Sequence, residues 1–172
     1  MKILVYGFKP YKNYRENITE KIVRKISDRA CLKKVIFPVK FKKEYFLEKI
    51  KKLKPDVILG LGQHPRGQKI RIERKAANSK KYNQERPEII YKGKPKYQFV
   101  NLKLKKDKDS WISYDAGKYV CNFSMYVITD FFKNKEIKFA FVHIPKDFNF
   151  KRVIRFVENK IDEILKIPKR KT

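Results

Sequence analysis

The sequence predicts an α/β fold, a three-layer α/β/α sandwich built on a mainly parallel, mixed and twisted sheet. Three observations predict it. The runs "KILVYGF", "KKVIFPV", "VILGLG" and "IKFAFVHIP" are short and continuously apolar, as strands covered on both faces are. They alternate with segments of helical periodicity, the signature of strand-crossover-strand units. Glycine or proline closes or interrupts each run, so the segments stay at strand length.

In chain order, "KILVYGF" is the first strand and "GFKPYKNYREN" the loop after it. "NITEKIVRKI" is a helix with Asn17 or Thr19 as its cap and Ile18, Ile22, Val23 and Ile26 on one face. "KKVIFPV" is a second strand. "KKEYFLEKIKKLKPD" is a helix with Phe46, Ile50 and Leu53 aligned, stopped before Pro55, and "VILGLG" is a third strand. Residues 79–109 are polar and weakly periodic, with "EIIY" and "YQFVNLKL" as candidate strands in loops and an antiparallel excursion. "SWISYD" then reads as a strand, "KYVCNFSMYVITDFF" as a helix and "IKFAFVHIP" as a buried strand. The closing helix, "FKRVIRFVENKIDEILKI", turns Val153, Ile154, Val157, Ile161, Ile164 and Leu165 inward. One domain is expected over residues 1–167, followed by a basic tail at 168–172.

The 172 residues, 42% of them hydrophobic with 13 Phe and 10 Tyr, suffice for one packed core. The opening "MKILVYGF" breaks at Gly7, too early for a secretion signal, and no stretch approaches the length of a membrane span, so no membrane association and a cytoplasmic location are expected. Cys31 and Cys121 are too few for a disulfide framework or a C-x-x-C zinc site and are expected as free thiols. The formal charge is +27, from 45 basic against 18 acidic residues. Only ten of the 45 are Arg, and the lysines are spread along every segment. That distribution favours a lysine-coated surface over a dedicated nucleic-acid face, with nucleic-acid binding at most non-specific.

In open sheets of this kind ligands bind beyond the carboxyl ends of strands. Four such places carry candidates: the loop from Gly7 to Asn13, the loop from Gly60 to Glu73, Cys121 after "SWISYDAG", and His143 in "FAFVH". Cys121 falls in the first turn of its helix, where unpaired N–H groups and the helix dipole favour an anion, the address of a nucleophile. His143 within reach of it would serve as base, and Glu73 in "KIRIERKAAN" would orient the imidazole. The bland alternatives are a core thiol, a structural strand-end histidine and a solvated carboxylate. Cys31 follows a helix and reads as structural, and His64 reads as part of a polar loop.

These segments carry a resemblance. "GFKPY", "GLGQHPRGQKIRIERKAAN", "DAGKYVCN" and "FVHIP", in this order, resemble the type I pyroglutamyl peptidases, or pyrrolidone-carboxylate peptidases. These are cytosolic cysteine peptidases with a Cys-His-Glu triad on an α/β/α sandwich. Glu73 matches the family's I-x-x-E-R-x-A-x-N pattern, Cys121 its A-G-x-x-x-C-N and His143 its H-x-P. The resemblance implies removal of N-terminal pyroglutamyl residues from peptides through an acyl-enzyme, with Phe8, Tyr11 and Tyr119 lining the ring pocket and Gln63 giving backbone contacts. It implies no cofactor and no metal, and leaves a homo-oligomer open. Some positions differ. In the family's G-F-x-P-F-G-G loop, Tyr11 replaces the second Phe and Lys12-Asn13 replace the glycines, and the segment after Asn78 does not match. Two further readings therefore stand beside the first: a diverged member that acts on another amide or has lost activity, and a basic nucleic-acid-binding module with a vestigial triad.

Overall fold

The computed structural model describes all residues except 84, 134 and 169–172, so most of the expected basic tail lies outside the described residues. Among the described residues, eight strands and four helices follow in the order β1 (Ile3–Phe8), α1 (Ile18–Lys25), β2 (Leu32–Phe37), α2 (Lys43–Leu53), β3 (Val57–His64), β4 (Ile70–Glu73), β5 (Lys75–Ala77), β6 (Tyr97–Phe99), β7 (Ser110–Ser113), α3 (Val120–Phe132), β8 (Lys138–Pro145) and α4 (Phe150–Leu165). Six strands form one sheet in the order β2-β1-β3-β8-β4-β7. β2, β1, β3 and β8 are mutually parallel. β4 is antiparallel to β8 and parallel to β7, so the sheet is mixed. β5 and β6 pair separately as a two-stranded antiparallel ribbon.

Strand alternation sorts the core into two layers. On β8, Ala140, Val142 and Ile144 face one side, where α1 and α4 bury Ile22, Val23, Val153, Phe156 and Ile161. Phe139 and Phe141 face the other, where α2 and α3 bury Phe46, Ile50, Phe123 and Tyr126. The second layer is dense in aromatic rings; Phe37 and Phe46 pack with centroids 4.8 Å apart. Each such fully buried side chain is worth roughly 1.5–3 kcal/mol over leaving it exposed, so both covers hold by burial.

Helix starts are set locally. Asn17 caps α1, its side chain accepting from the Thr19 N–H at 2.9 Å, while the Thr19 hydroxyl accepts from the Phe8 N–H at 3.0 Å and ties α1 to the end of β1. Gly7 permits that approach, since a β-carbon there would stand 2.8 Å from the Thr19 carbonyl oxygen. Asn149 caps α4 in the same way.

Several expectations need correction. The stretch expected as a loop from Gly60 to Glu73 is strand at both ends, because β3 runs on to His64 alongside β8 and "IRIE" pairs with both β8 and β7. "EIIY" contributes only one bridge, Lys80 to Glu88, and "YQFVNLKL" is strand over its first three residues. On α4, Leu165, expected to turn inward, is the exposed last residue of the helix, and Phe156, not singled out in the sequence, is buried.

Candidate active site

β8, β4 and the start of α3 converge on the α3 side of the sheet. His143 lies on the same face of β8 as Phe139 and Phe141, and Glu73 occupies the equivalent face of β4. The His143 Nδ1 and Glu73 Oε1 atoms are 2.9 Å apart, both side chains buried. Glu73 is 0% exposed, and its second oxygen, Oε2, has no hydrogen-bond partner. A carboxylate in such a place is held by what it does for the imidazole.

Cys121 is the second residue of α3, whose N-cap, Tyr119, makes no side-chain cap. The first intrahelical bond runs from the Phe123 N–H, so the N–H groups of the first turn remain as donors for a ligand. Asn122 fixes this turn against β5: its Oδ1 accepts from the Ala77 N–H at 2.8 Å, and its Nδ2 donates to the carbonyls of Ala77 and Ser79. Ser124 donates to the Cys121 carbonyl at 2.8 Å and meets the buried Tyr6 hydroxyl at 3.0 Å.

Gly62 on β3 lets thiol and imidazole sit against the sheet. A β-carbon there would stand 2.8 Å from Cys121 Sγ and 2.8 Å from His143 Cδ2, so both side chains close over the bare backbone. Burial alone pulls His143 towards its neutral form. The Cys121 thiolate, by charge and hydrogen bonding, and the Glu73 carboxylate behind it reverse that and push its pKa up to about 9. The arrangement therefore favours the charged imidazolium form of His143.

A cavity of about 390 Å³ opens on this group, lined by Phe8, Tyr11, Gln63 and Tyr119 among others, so all seven residues singled out in the sequence border one space or, for Glu73, stand directly behind it. Gln63 Oε1 accepts from the Ile18 N–H at 2.8 Å, while its Nε2 is buried without a partner. The Tyr11 hydroxyl lies near that carboxamide without closing a bond to Nε2, and burial pushes its pKa up to about 12. Tyr119 lines the cavity and packs edge-on against Phe41, at 5.6 Å.

His64 is the residue sequence reasoning missed. It is the buried last residue of β3, with its ring edge-on to His143 at 6.1 Å and its Nε2 unpartnered. Burial first, then the nearby Arg71 and His143, lower its pKa to about 4, so it is neutral beside the charged His143 ring. The signal was positional, since β3 pairs with β8 through His64 and Pro145. Cys31 lies apart from the site, its carbonyl accepting from the Ile3 N–H.

A thiol in the first turn of a helix, an imidazole at its side and a buried carboxylate behind the imidazole, on an α/β sheet, define a cysteine hydrolase. Residues 1–151 match the pyroglutamyl peptidase family. The chain is 30% identical to a pyrrolidone-carboxylate peptidase of Saccharolobus islandicus over 166 residues, covering 84% of this chain and 79% of that protein. It is 32% identical over 167 residues to the enzyme of the same name from Thermosipho africanus, covering 84% and 82%. Among solved structures, a mutant pyrrolidone carboxyl peptidase from Pyrococcus furiosus superposes with a TM-score of 0.82 at 23% identity, over 96% of this chain and 98% of that one. Pyroglutamyl peptidase I of Bacillus amyloliquefaciens gives 0.82 at 23%, over 92% and 94%. The chain belongs to the pyroglutamyl peptidase family of cysteine peptidases.

Proposed function

We propose that this chain removes the N-terminal pyroglutamyl residue from peptides, with Cys121 as nucleophile, His143 as acid and base, and Glu73 as the group that orients the imidazole. The observation that carries the reading is the buried His143–Glu73 bond at 2.9 Å, aimed so that the thiol meets the rest of the ring. Cys121 Sγ attacks the pyroglutamyl carbonyl carbon, and the carbonyl oxygen becomes an anion facing the open N–H groups of the α3 first turn, that of Cys121 among them. The imidazolium of His143 gives its proton to the peptide nitrogen, the C–N bond breaks and the shortened peptide leaves with a free amine. Water then attacks the thioester, His143 takes its proton, and pyroglutamate departs as the thiolate is restored.

The pyroglutamyl ring is small and uncharged, which suits the aromatic walls given by Phe8, Tyr11 and Tyr119, with the backbone of Gln63 for polar contact. The mechanism calls on no metal or cofactor. No described helix is long and apolar enough to cross a membrane. A single domain over residues 1–167 in the cytoplasm completes the reading. The test is incubation with a pyroglutamyl-coumarin amide beside an alanyl-coumarin amide. Release from the first alone is the expected result; release from neither, by folded protein with a titratable Cys121, overturns it.

A further inference from the structure

The wall of the cavity carries charges that the pyroglutamyl ring does not need. Lys12, Arg71, Lys81 and Lys118 line it with a single carboxylate, Asp115, whose Oδ1 already accepts from the Gly117 N–H at 3.0 Å. None of the four cations has an ion-pair partner among the described residues. They come from different parts of the chain and are held there. Lys12 has a left-handed backbone, φ 53°, and its ammonium lies 5.3 Å from the centre of the Tyr119 ring. The Lys81 N–H donates to the Lys118 carbonyl at 2.7 Å, joining two segments into one rim. Arg71 stands opposite His143 in the β4–β8 ladder, its guanidinium 5.7 Å from the Trp111 ring.

A pyroglutamyl terminus has no charge, since its amine is closed into a lactam. Anything the four cations bind must therefore lie beyond the scissile bond. We propose that this rim is a binding site for carboxylates of the leaving peptide, so that the chain acts preferentially on pyroglutamyl peptides whose next residues are acidic. This rests on the function proposed above. The rim attracts such a peptide over the approach, holds its carboxylates while the thiol attacks, and repels substrates with lysine or arginine in the same places. An exposed pair is worth up to about fivefold in affinity, so two or three engaged cations give a discrimination of roughly tenfold or more.

The experiment compares kcat/KM for three amidated peptides, pyroglutamyl-Glu-Ala, pyroglutamyl-Ala-Ala and pyroglutamyl-Lys-Ala, at about 20 mM and about 500 mM salt. The expected ratio of the first to the last is at least about tenfold at low salt and falls towards unity at high salt, where the screening length shrinks to a few ångströms. The double variant Lys81→Glu, Lys118→Glu should lose or invert that ratio. A control with the same change in net charge, Lys51→Glu, Lys52→Glu on the exposed end of α2, should keep it. Equal rates for the Glu and Lys peptides at low salt, with the Ala peptide cleaved, overturn this inference and leave the peptidase reading standing. A ratio lost equally in both double variants assigns the preference to the overall charge and also overturns it. Cleavage of none of the three overturns the peptidase reading, and the inference with it.

Discussion

Replacement of Gly62 by alanine should damage catalysis without replacing a reacting group. The new β-carbon would lie 2.8 Å from each of Cys121 Sγ, His143 Cδ2 and Phe141 Cζ. Contacts of this kind settle at about 3.5–4.0 Å, so close to an ångström must be found. None of the three is the loose end of a flexible chain: Phe141 is 0% exposed, the imidazole is tied to Glu73, and the thiol sits two bonds from the backbone of a helix turn locked by Asn122. Overpacking of this size costs about 1–3 kcal/mol of stability. A displacement near 1 Å between reacting groups costs about 100-fold in rate, or about 2.7 kcal/mol of barrier. Gly60→Ala is the control, because its β-carbon would meet Phe141 at 2.4 Å and Tyr6 at 2.6 Å on the same strand face, and the thiol is not among its three nearest atoms. The assay is kcat/KM on pyroglutamyl-coumarin amide, normalised to the folded fraction from melting curves. Gly62→Ala should lose both rate and stability, and Gly60→Ala stability alone. Parental kcat/KM in folded Gly62→Ala, or an equal rate loss in Gly60→Ala, would refute the idea that this bare backbone sets the thiol–imidazole distance.

Glu73→Gln should lower kcat by at least roughly tenfold with the Cys121 thiol still present, because the amide orients the ring poorly and no longer favours its charged form; unchanged kcat in a folded variant would remove Glu73 from the site. His143 has a folded pKa near 9 against about 6.5 unfolded, so its ionisation stabilises the fold fully below about pH 6.5 and no longer does so above about pH 9, a change of about 3 kcal/mol. Melting temperature should fall across that window, and less in Cys121→Ser, where the partner charge is gone; equal falls would show that another group titrates. Limiting iodoacetamide should label Cys121 before Cys31 although Cys121 is the more buried of the two, as peptide mass mapping would read; the reverse order would count against a reactive thiol at the helix start.

The parallel core of the sheet was readable because β1, β3 and β8 are buried on both faces and so lack polar residues over most of their length. β4 was not, for a physical reason: a four-residue strand reading I-R-I-E looks solvated unless Glu73 has a buried partner, and that partner, His143, is 70 residues away. The same blindness hid His64, whose polarity suggested a loop while its ladder partner, Pro145, lay far along the chain. The three catalytic candidates were recognised through local motifs rather than spacing, since nothing in the distance from Glu73 to Cys121 to His143 announces that they meet. The cationic rim was hidden in plain composition: among 45 basic residues, only the fold distinguishes Lys81 and Lys118 from the rest.

The antiparallel seating of β4 carries a further consequence. Glu73 is opposite Phe141 and Arg71 opposite His143, so the carboxylate reaches the imidazole on the diagonal of a ladder only three pairs long. A slip of one residue would turn Glu73 towards the α1–α4 layer and present Ile72 to His143. On the proposed mechanism, a chain misthreaded in this way would keep its first five elements and both its free thiols, yet lose the carboxylate behind His143 and with it much of its turnover. Turnover per titrated thiol thus gauges refolding fidelity, and a refolded batch that is monodisperse but under-active is what a slip of this short strand would produce.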